Sequence, residues 1–178
     1  MVKILKRKVT KSEAELLVKQ IKLTPNIIGY SLTEWLAAEH VIVAEDEDCK
    51  MLGVCLNYDI NKYWYKIASL FVFEEFRGKG IGKLLFYESY KYAVKRHKNA
   101  YTISANKIVI KMMRDLDFLL FDNLLNLPKM VSKHKLVLCL HSLIWITNLY
   151  RIQEVIRKSI VYQNHTNFIY GIHIFQNK

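Results

Sequence analysis

The sequence predicts an α/β (α+β) domain, and three features of the chain lead to this prediction. Residues 67–73 form a near-continuous apolar run, which is typical of a strand that is covered on both faces. A glycine-rich loop follows at once, and after it apolar residues recur at helical spacing from Ile81 to Ala93. Residues 40–58 form two apolar runs around the acidic turn 46–48, which predicts an antiparallel hairpin.

The segment before the hairpin predicts an edge strand and two helices. Residues 2–9 alternate weakly and are rich in lysine, which suits the edge of a sheet. Overlapping capping boxes at Thr10 and Ser12 open the first helix. A further capping box at Ser31 opens a short helix that contains Trp35.

The segment after the glycine-rich loop predicts two more helices and two strands. The helix over residues 80–97 is the longer of the two, and residues 101–104 form a short strand after it. Asn106 is a suitable N-cap for the next helix, and residues 118–121 predict another strand. The apolar stripe of that second helix consists of Val109, Met112, Met113 and Leu116.

The C-terminal part of the chain gives a weaker pattern. Residues 136–161 have apolar spacings that fit one long helix, and residues 168–175 predict a closing strand. The most apolar part, residues 136–150, is shorter than the ~20 residues that span a bilayer.

We interpret the 178 residues as a single domain with a core over residues 1–133 and a C-terminal extension over residues 134–178. The extension either packs on the core or provides the contact of a homodimer. Docking of the extension to a membrane surface is an alternative that ranks behind these two.

The composition narrows the classes of function. The net charge is +11, but the lysines are scattered over the chain as on an ordinary solvated surface, so a basic nucleic-acid-associated protein ranks as a third class, behind an enzyme and a binding protein. Cys49, Cys55 and Cys139 lie in a chain without an apparent signal peptide, which indicates reduced thiols and a cytoplasmic location. The cysteines and histidines complete no metal shell by their spacing, so we expect no metal.

The loop after the central strand has the features of an anion-binding site. A helix N-terminus offers free N–H groups and roughly half a positive charge, and Lys79 and Lys83 add two cations. A nucleotide P-loop is excluded, because only three residues separate Gly78 from Gly82 and Leu84 replaces the required hydroxyl. The dinucleotide motif Gly-x-Gly-x-x-Gly is also excluded, since the third glycine comes one residue early.

Two segments resemble motifs of the GNAT superfamily of N-acetyltransferases. The first is Arg-x-x-Gly-x-Gly, the pyrophosphate-binding motif of that family, which begins here at Arg77. The second follows the pattern Asn-x-x-Ala-x-x-x-Tyr-x-x-x-Gly-Phe and begins here at Asn106. Met113 replaces the tyrosine of this pattern, and Asp117 replaces its glycine. The resemblance covers residues 41–118 and hardly touches the last fifty or so.

This resemblance implies a GNAT fold, in which a central mixed, mostly antiparallel sheet is flanked by helices. It also implies an acetyl-CoA-dependent N-acetyltransferase that moves an acetyl group to a primary amine by direct attack in a ternary complex. A catalytically weak or inactive acyl-CoA-binding or regulatory protein is the alternative. The acceptor amine, on a small molecule or on a protein or peptide, stays open. The residues that the resemblance assigns to acetyl-CoA are Leu70, Phe71, Val72, Arg77, Gly78, Lys79, Gly80, Ile81, Gly82, Lys83 and Asn106.

The resemblance further implies a bulge near Ser69, which frees main-chain groups of Leu70 and Val72 for the pantetheine arm. It also implies that the first two helices flank the acceptor site. Tyr30 and Trp35 are therefore candidate acceptor contacts, although each also suits a core position.

Acetyl transfer needs a base for the acceptor ammonium and an acid for the departing thiolate. The tyrosine that commonly serves as the acid is absent, because the Met113 thioether has no proton to donate. The candidate substitutes for that tyrosine are Tyr101, Ser104 and solvent. We expect Asn106 and Tyr101 to be catalytic, and we expect a slower chemical step. The candidate bases are surface carboxylates, namely Glu34, Glu39, Asp59, Glu74 and Glu75.

Overall fold

A computed structural model of the chain describes residues 1–124, 127, 129–162 and 167–175. The strands within these ranges are β1 Lys3–Lys6, β2 His40–Glu45, β3 Met51–Asp59, β4 Trp64–Val72, β5 Asn99–Ser104, β6 Leu119–Phe121 and β7 Ile169–His173. The α-helices are α1 Lys11–Lys22, α2 Leu32–Ala37, α3 Ile81–Lys95, α4 Lys107–Asp115, α5 Lys135–Ile146 and α6 Leu149–Tyr162. Short 3-10 helices lie at Glu74–Phe76 and Lys129–His134.

These strands form one sheet in the order β1-β2-β3-β4-β5-β7-β6. Strands β1 to β4 pair antiparallel, β4 and β5 pair parallel, and β7 pairs antiparallel with both β5 and β6. The sheet is therefore mixed and mostly antiparallel, and helices cover it on both sides. The predicted fold class is confirmed, as are the edge strand and the antiparallel hairpin.

Two apolar clusters fill the space between the sheet and its helices. Adjacent residues of β2 point to opposite faces, so that Val41 and Val43 join one cluster and Ile42 and Ala44 the other. Helices α1 and α2 cover the first face, and α3 and α4 cover the second. Because both faces are buried, the strands carry continuous apolar runs instead of alternating ones.

The helix starts follow the capping pattern of the sequence. Thr10 and Ser31 each accept a hydrogen bond in a complete capping box, so both predicted boxes are confirmed. The overlapping box at Ser12 is not used, because Ser12 already lies inside α1. Asn106 caps α4, and its side-chain oxygen accepts a hydrogen bond of 2.8 Å from the N–H of Ile108.

The prediction of one long helix over residues 136–161 is wrong. The apolar segment instead forms two helices, α5 and α6, with a break at Thr147 and Asn148. The Thr147 hydroxyl donates to the carbonyl of Ile144, and the Asn148 side chain accepts from the N–H of Arg151. These short polar side chains satisfy main-chain groups at a helix end and a helix start, which favours a break over a continuous helix.

The interpretation of residues 134–178 as an extension of the core also needs a correction. Strand β7 lies inside the sheet, between β5 and β6, so the end of the described chain belongs to the core. The 3-10 helix at Lys129–His134, α5 and α6 therefore belong to a long connection between two neighbouring strands. Residues 125, 126, 128, 163–166 and 176–178, which the single-domain prediction includes, lie outside the described ranges. Within those ranges, no helix combines the length and the apolarity that crossing a membrane requires.

Candidate functional site

The sheet contains an opening where β4 and β5 separate. Parallel pairing of the two strands runs from Trp64 opposite Asn99 to Ile67 opposite Thr102, but β4 continues to Val72. A bulge lies at the same place, because Leu56 of β3 pairs with Ser69 while its neighbour Asn57 pairs with Ile67. Ala68 is left without a partner in this ladder, close to the position that the sequence predicted for a bulge. The freed main chain of β4 lines the opening.

Two cavities occupy this opening and form one cleft. The outer cavity, of about 770 Å³, lies beside the glycine-rich loop, and the inner cavity, of about 220 Å³, lies between the ends of the diverging strands. The two are continuous, since they share lining residues from the α1–α2 loop, from β4 and from α4. These shared residues are Asn26, Ile27, Leu70, Asn106 and Val109.

The glycine-rich loop presents the N-terminus of α3 to the outer cavity. Gly78 and Gly80 both have φ of +78°, a left-handed conformation that favours glycine, and a Cβ at either position would meet nothing within 4 Å. The first turn of α3 carries no acidic residue. The Arg77 side chain donates a hydrogen bond of 3.1 Å to the carbonyl of Val72, which fixes the loop to the end of β4. This end of the cleft is therefore open, positive and built from main-chain N–H groups.

The residues that the sequence assigned to acetyl-CoA lie together along the cleft. All of them except Lys79 line the outer cavity, and Leu70 and Asn106 also line the inner one. The Lys79 ammonium lies instead over the ring of Phe76, 5.4 Å from the ring centre. The binding of acetyl-CoA by these residues stays a prediction.

Helix α6 is fixed to the loop between α1 and α2, which lines both cavities. The Lys158 ammonium donates to the carbonyls of Ile21, Thr24 and Ile27, although Lys158 is buried. Arg151, on the same helix, forms an ion pair with Glu34 of α2. The connection between β6 and β7 thus holds in place the loop that covers the cleft.

The inner cavity contains one unusual side chain, that of Lys66 on β4. Lys66 is only 4% exposed, and it is the only Asp, Glu, Lys or Arg among the described residues that line this cavity. Its ammonium lies 3.2 Å from Nε2 of His141 on α5. The aromatic rings around it are those of Trp145, Tyr101 and Tyr58, whose centres are 5.3, 5.5 and 5.8 Å away.

The surroundings of Lys66 favour an uncharged amine. Burial, with a smaller contribution from the Arg151 guanidinium, lowers the pKa of Lys66 to about 7. Burial and the neighbouring charges of Lys66 and Arg151 also lower the pKa of His141 to about 3, so its imidazole is neutral at physiological pH. Near neutral pH a substantial fraction of Lys66 is therefore a free amine.

The carboxylates that the sequence offered as bases lie elsewhere. None of the five lines the inner cavity, and only Glu74 lines the outer one, beside the glycine-rich loop. Glu34 is paired with Arg151, whereas Glu39 and Glu75 are exposed. Although burial alone would raise the pKa of Asp59, hydrogen bonds from Arg96 and Lys98 hold it below its usual value.

The expected proton donors are also not gathered in the cleft. Tyr101 is buried in a third apolar cluster and lines neither cavity. Met113 is fully buried beneath β7, where its sulfur is 2.7 Å from the position of a Cβ on Gly171. Ser104 lines the inner cavity, and its hydroxyl accepts a hydrogen bond from the N–H of Asn106. Of the four, only Ser104 and Asn106 reach the cleft.

The two candidate acceptor contacts differ in their placement. Tyr30 lines the inner cavity, and its hydroxyl accepts a hydrogen bond of 3.4 Å from the indole N–H of Trp145. Trp35 is fully buried and packs in the core beneath α2.

Sequence reasoning missed Lys66 and His141. A lysine within the apolar run of β4 was a signal for the first, but α5 carried none for the second.

Comparisons with known proteins agree with this geometry. The model of the acetyltransferase (GNAT) family matches residues 14–118 of the chain. Among curated proteins, no sequence matches significantly.

Solved structures with the same fold share little sequence with this chain. Rv2747 from Mycobacterium tuberculosis, solved in complex with CoA, has a TM-score of 0.64 at 13% identity, over 97% of this chain and 99% of that one. Ard1 from Thermoplasma volcanium has a TM-score of 0.59 at 13% identity, over 99% of both chains. N-acetylglutamate synthase from Neisseria gonorrhoeae, complexed with coenzyme A and N-acetyl-glutamate, has a TM-score of 0.63 at 13% identity. That match covers 99% of this chain and only 36% of the synthase.

Proposed function

Because this chain belongs to the acetyltransferase (GNAT) family, we propose that it transfers an acetyl group from acetyl-CoA to a primary amine by direct attack in a ternary complex. The observation that carries the proposal is the continuous cleft. One of its ends has the positive N-terminus of α3, and the other is a smaller, mostly apolar cavity. A long cosubstrate with phosphates at one end and an acyl group at the other matches these two ends.

The residues along the cleft have the chemistry that acetyl-CoA needs. The free N–H groups at the start of α3, with Lys83 beside them, would hold the pyrophosphate. The freed main chain of Leu70 and Val72 would bind the amides of the pantetheine arm, and Asn106 would lie beside its inner half. The cosubstrate supplies the activated acyl group, and no metal is part of the proposal.

The acceptor that the inner cavity favours is a small amine with few positive charges. Its described lining contains no carboxylate, so the additional ammonium groups of a polyamine would be desolvated there without a counter-charge. The aromatic side chains of Tyr30, Trp145 and Tyr170 instead favour an acceptor with an apolar or aromatic body. The bound N-acetyl-glutamate of the Neisseria synthase supports small amines in general.

The second candidate is a protein that binds acyl-CoA without transferring the acyl group. The placement of Tyr101 and Met113 outside both cavities favours it, because the cleft then lacks the tyrosine that is typical of the family. Binding of acetyl-CoA without release of CoA in the presence of any amine would distinguish this candidate from the enzyme.

We also propose a homodimer in the cytoplasm. Two arginines of α6 are neutralised by ion pairs within the chain, Arg151 by Glu34 and Arg157 by Glu154. These ion pairs reduce the repulsion between two copies that each carry a net charge of +11, so their apolar faces can meet. The three free thiols support a reducing compartment. The exposed apolar residues of α5 and α6 are Leu136, Leu140, Leu143, Ile144, Ile146, Leu149, Ile152, Val155, Ile156, Ile160 and Val161.

The proposed transfer can be tested with four amines and acetyl-CoA. Phenethylamine, tryptamine, glutamine and spermidine are incubated with the protein, and CoA release is followed with a thiol reagent while mass spectrometry detects the acetylated amine. We expect acetylation of the monoamines in preference to spermidine, and competitive inhibition by CoA. Absence of CoA release with every amine would contradict the proposed enzyme, and acetyl-CoA binding in the same samples would then favour the second candidate.

A further inference from the structure

Acetyl transfer to an amine needs a base, since an alkylammonium ion has no lone pair with which to attack. The carboxylates predicted from the sequence do not line the inner cavity, and no other carboxylate does among its described lining residues. Lys66 is the only Asp, Glu, Lys, Arg or His among the described residues that line it. We propose that Lys66 is the general base of this enzyme, taking a proton from the acceptor ammonium. This proposal rests on the proposed acetyltransferase function.

The contacts of Lys66 suit this role. A neutral amine can donate one N–H to Nε2 of the uncharged His141 imidazole, 3.2 Å away, and keep its lone pair for the cavity. The Tyr58 hydroxyl of the neighbouring strand β3 lies 3.2 Å from the same nitrogen and shares its single lone pair, which holds the imidazole beside Lys66. Lys66 is thus a buried amine in a fixed position, and within the described part of the chain no carboxylate pairs with it.

The titratable groups around Lys66 offer no negative charge to its protonated form, whereas the rings of Tyr58, Tyr101 and Trp145 can stabilise the ammonium by cation–π contacts. Tyr58 of β3 and Tyr101 of β5 are neutral phenols, since burial raises the pKa of both. His141 of α5 is neutral, and Arg151 of α6 adds positive charge nearby. The Glu34 carboxylate of α2 is the ion-pair partner of Arg151 and does not line the inner cavity. Such an environment produces an amine whose basicity is close to neutral pH, where a general base is most effective.

The proton and electron balance of the reaction closes without a further acid. The Lys66 lone pair takes one proton from the acceptor ammonium and becomes an ammonium itself, leaving a neutral acceptor amine. The acceptor nitrogen then attacks the thioester carbonyl, a C–N bond forms, and the C–S bond breaks with its electron pair going to sulfur. The second proton of the acceptor nitrogen goes to that thiolate and gives the CoA thiol. Lys66 later returns its proton to solvent, so neither Met113 nor Tyr101 is needed as a donor.

Three substitutions distinguish three possible roles of the Lys66 side chain: a base, a positive charge, or a group that only fills the cavity. Lys66→Arg keeps the cation and the stacking on Trp145, but a guanidinium does not lose its proton near pH 7. Lys66→Met keeps the volume without charge or basicity. Lys66→Ala leaves room for a tertiary amine, which can take a proton but cannot form an amide. We expect all three to bind acetyl-CoA with unchanged affinity.

The acetylation rates of the parent protein and the variants are measured with the best of the four amines named above. The pH is varied from roughly 5.5 to 9.5, which covers the titration of Lys66. For the parent protein, kcat/KM should rise with pH through about 7 as Lys66 loses its proton. In the Arg and Met variants, turnover should fall roughly 100- to 10,000-fold and this rise should disappear. Trimethylamine should restore part of the turnover of Lys66→Ala.

Each contrary outcome overturns the proposal. Turnover near the parent level in Lys66→Arg would mean that the cavity needs a cation, for example to bind an acceptor carboxylate. Lower turnover with an unchanged pH profile would mean that Lys66 only supports the cavity. An acetyl group found on Lys66 by mass spectrometry would make this lysine an acceptor. Failure of the proposed function is distinct from all of these, because the parent protein itself would then release no CoA.

A second measurement needs no acceptor. ¹³C NMR of the lysine ε-carbons should show a resonance that titrates near pH 7 and that is missing from Lys66→Arg. The buried Lys158, whose pKa burial lowers to about 8, is assigned in the same way with Lys158→Arg. If the resonance lost in Lys66→Arg titrates near the ordinary value for lysine, about 10.4, Lys66 is not the base.

Discussion

The two ends of the cleft are built in different ways. At the outer end, one continuous segment from β4 through the glycine-rich loop to α3 supplies the phosphate-binding part and about half of the lining, and the rest comes from the end of α1, the loop after it and α4. At the inner end, side chains come from the α1–α2 loop, β4, β5, α5 and the segment around β7, which are far apart in sequence. The outer end can therefore be read from local motifs, whereas the inner end depends on how the whole chain packs.

This difference separates what belongs to the fold from what belongs to this particular protein. Glycines at positive φ and the start of a helix are requirements of binding a phosphate, so they appear as a short motif. The charge and shape of the inner cavity depend on single side chains such as Lys66, His141 and Trp145. Acceptor choice and proton transfer should therefore respond to changes in α5 and α6 that leave acetyl-CoA binding unaffected.

The largest effect is expected at Arg151, which fixes α6 to α2. Arg151→Met leaves the Glu34 carboxylate half-buried without its partner, so the free energy of unfolding should fall by about 3 kcal/mol. Urea denaturation measures this loss. Changing Glu34→Gln in the same chain should recover part of it, because the unpaired charge is then removed. If the single and double variants are equally stable, the ion pair does not hold the two helices together.

A smaller loss of stability is expected when the family tyrosine is restored at position 113. Met113 is packed against β7 and lies outside both cavities, so Met113→Tyr should lower the free energy of unfolding by roughly 1–3 kcal/mol and leave kcat unchanged. Met113→Leu, of similar volume, is the matched control and should change stability by less. A faster turnover in Met113→Tyr would show instead that the slow step expected from the sequence is real.

The cations at the outer end should contribute only modestly to cofactor affinity, because main-chain groups provide most of the contacts. Lys83→Gln should weaken acetyl-CoA binding about fivefold, as expected for an exposed ion pair of about 1 kcal/mol. Lys91→Gln removes the same charge from the same helix but away from the cleft, and it should leave the affinity unchanged. Calorimetry at low salt compares the two, and equal effects would mean that only net charge matters.

The smallest effect on the cleft is expected from the exposed faces of α5 and α6. Ile156→Glu together with Ile160→Glu places charges on the surface proposed for the homodimer and should yield a monomer. Sedimentation velocity measures the change in mass, and the affinity for acetyl-CoA should stay the same. A parent protein that sediments as a monomer would contradict the proposed dimer.

Most of the fold could be predicted from sequence because its signals are local. The capping boxes at Thr10 and Ser31, the N-cap Asn106 and the hairpin after His40 each lie within a few residues. The break between α5 and α6 was missed, because hydrophobic spacing alone continues through Asn148.

The place of β7 and the composition of the inner cavity could not be predicted, since both depend on long-range pairing. Strand β7 lies beside β5 only after a long connection has folded over the cleft. The contact between Lys66 and His141 joins residues 75 positions apart, and no spacing rule links them. For the same reason, the surface carboxylates chosen as bases from sequence proved to be paired or distant from the inner cavity.

The central claim is that acetyl-CoA binds along the cleft with its phosphates on the glycine-rich loop. Calorimetric titration of acetyl-CoA into the parent protein and into Gly80→Glu tests it most directly. Gly80→Asn is the matched control, because asparagine tolerates the left-handed conformation of this position and adds no charge. We predict micromolar binding, roughly 8 kcal/mol, for the parent protein, similar binding for Gly80→Asn and loss of binding for Gly80→Glu. No binding by the parent protein, or equal binding by Gly80→Glu, would contradict the account.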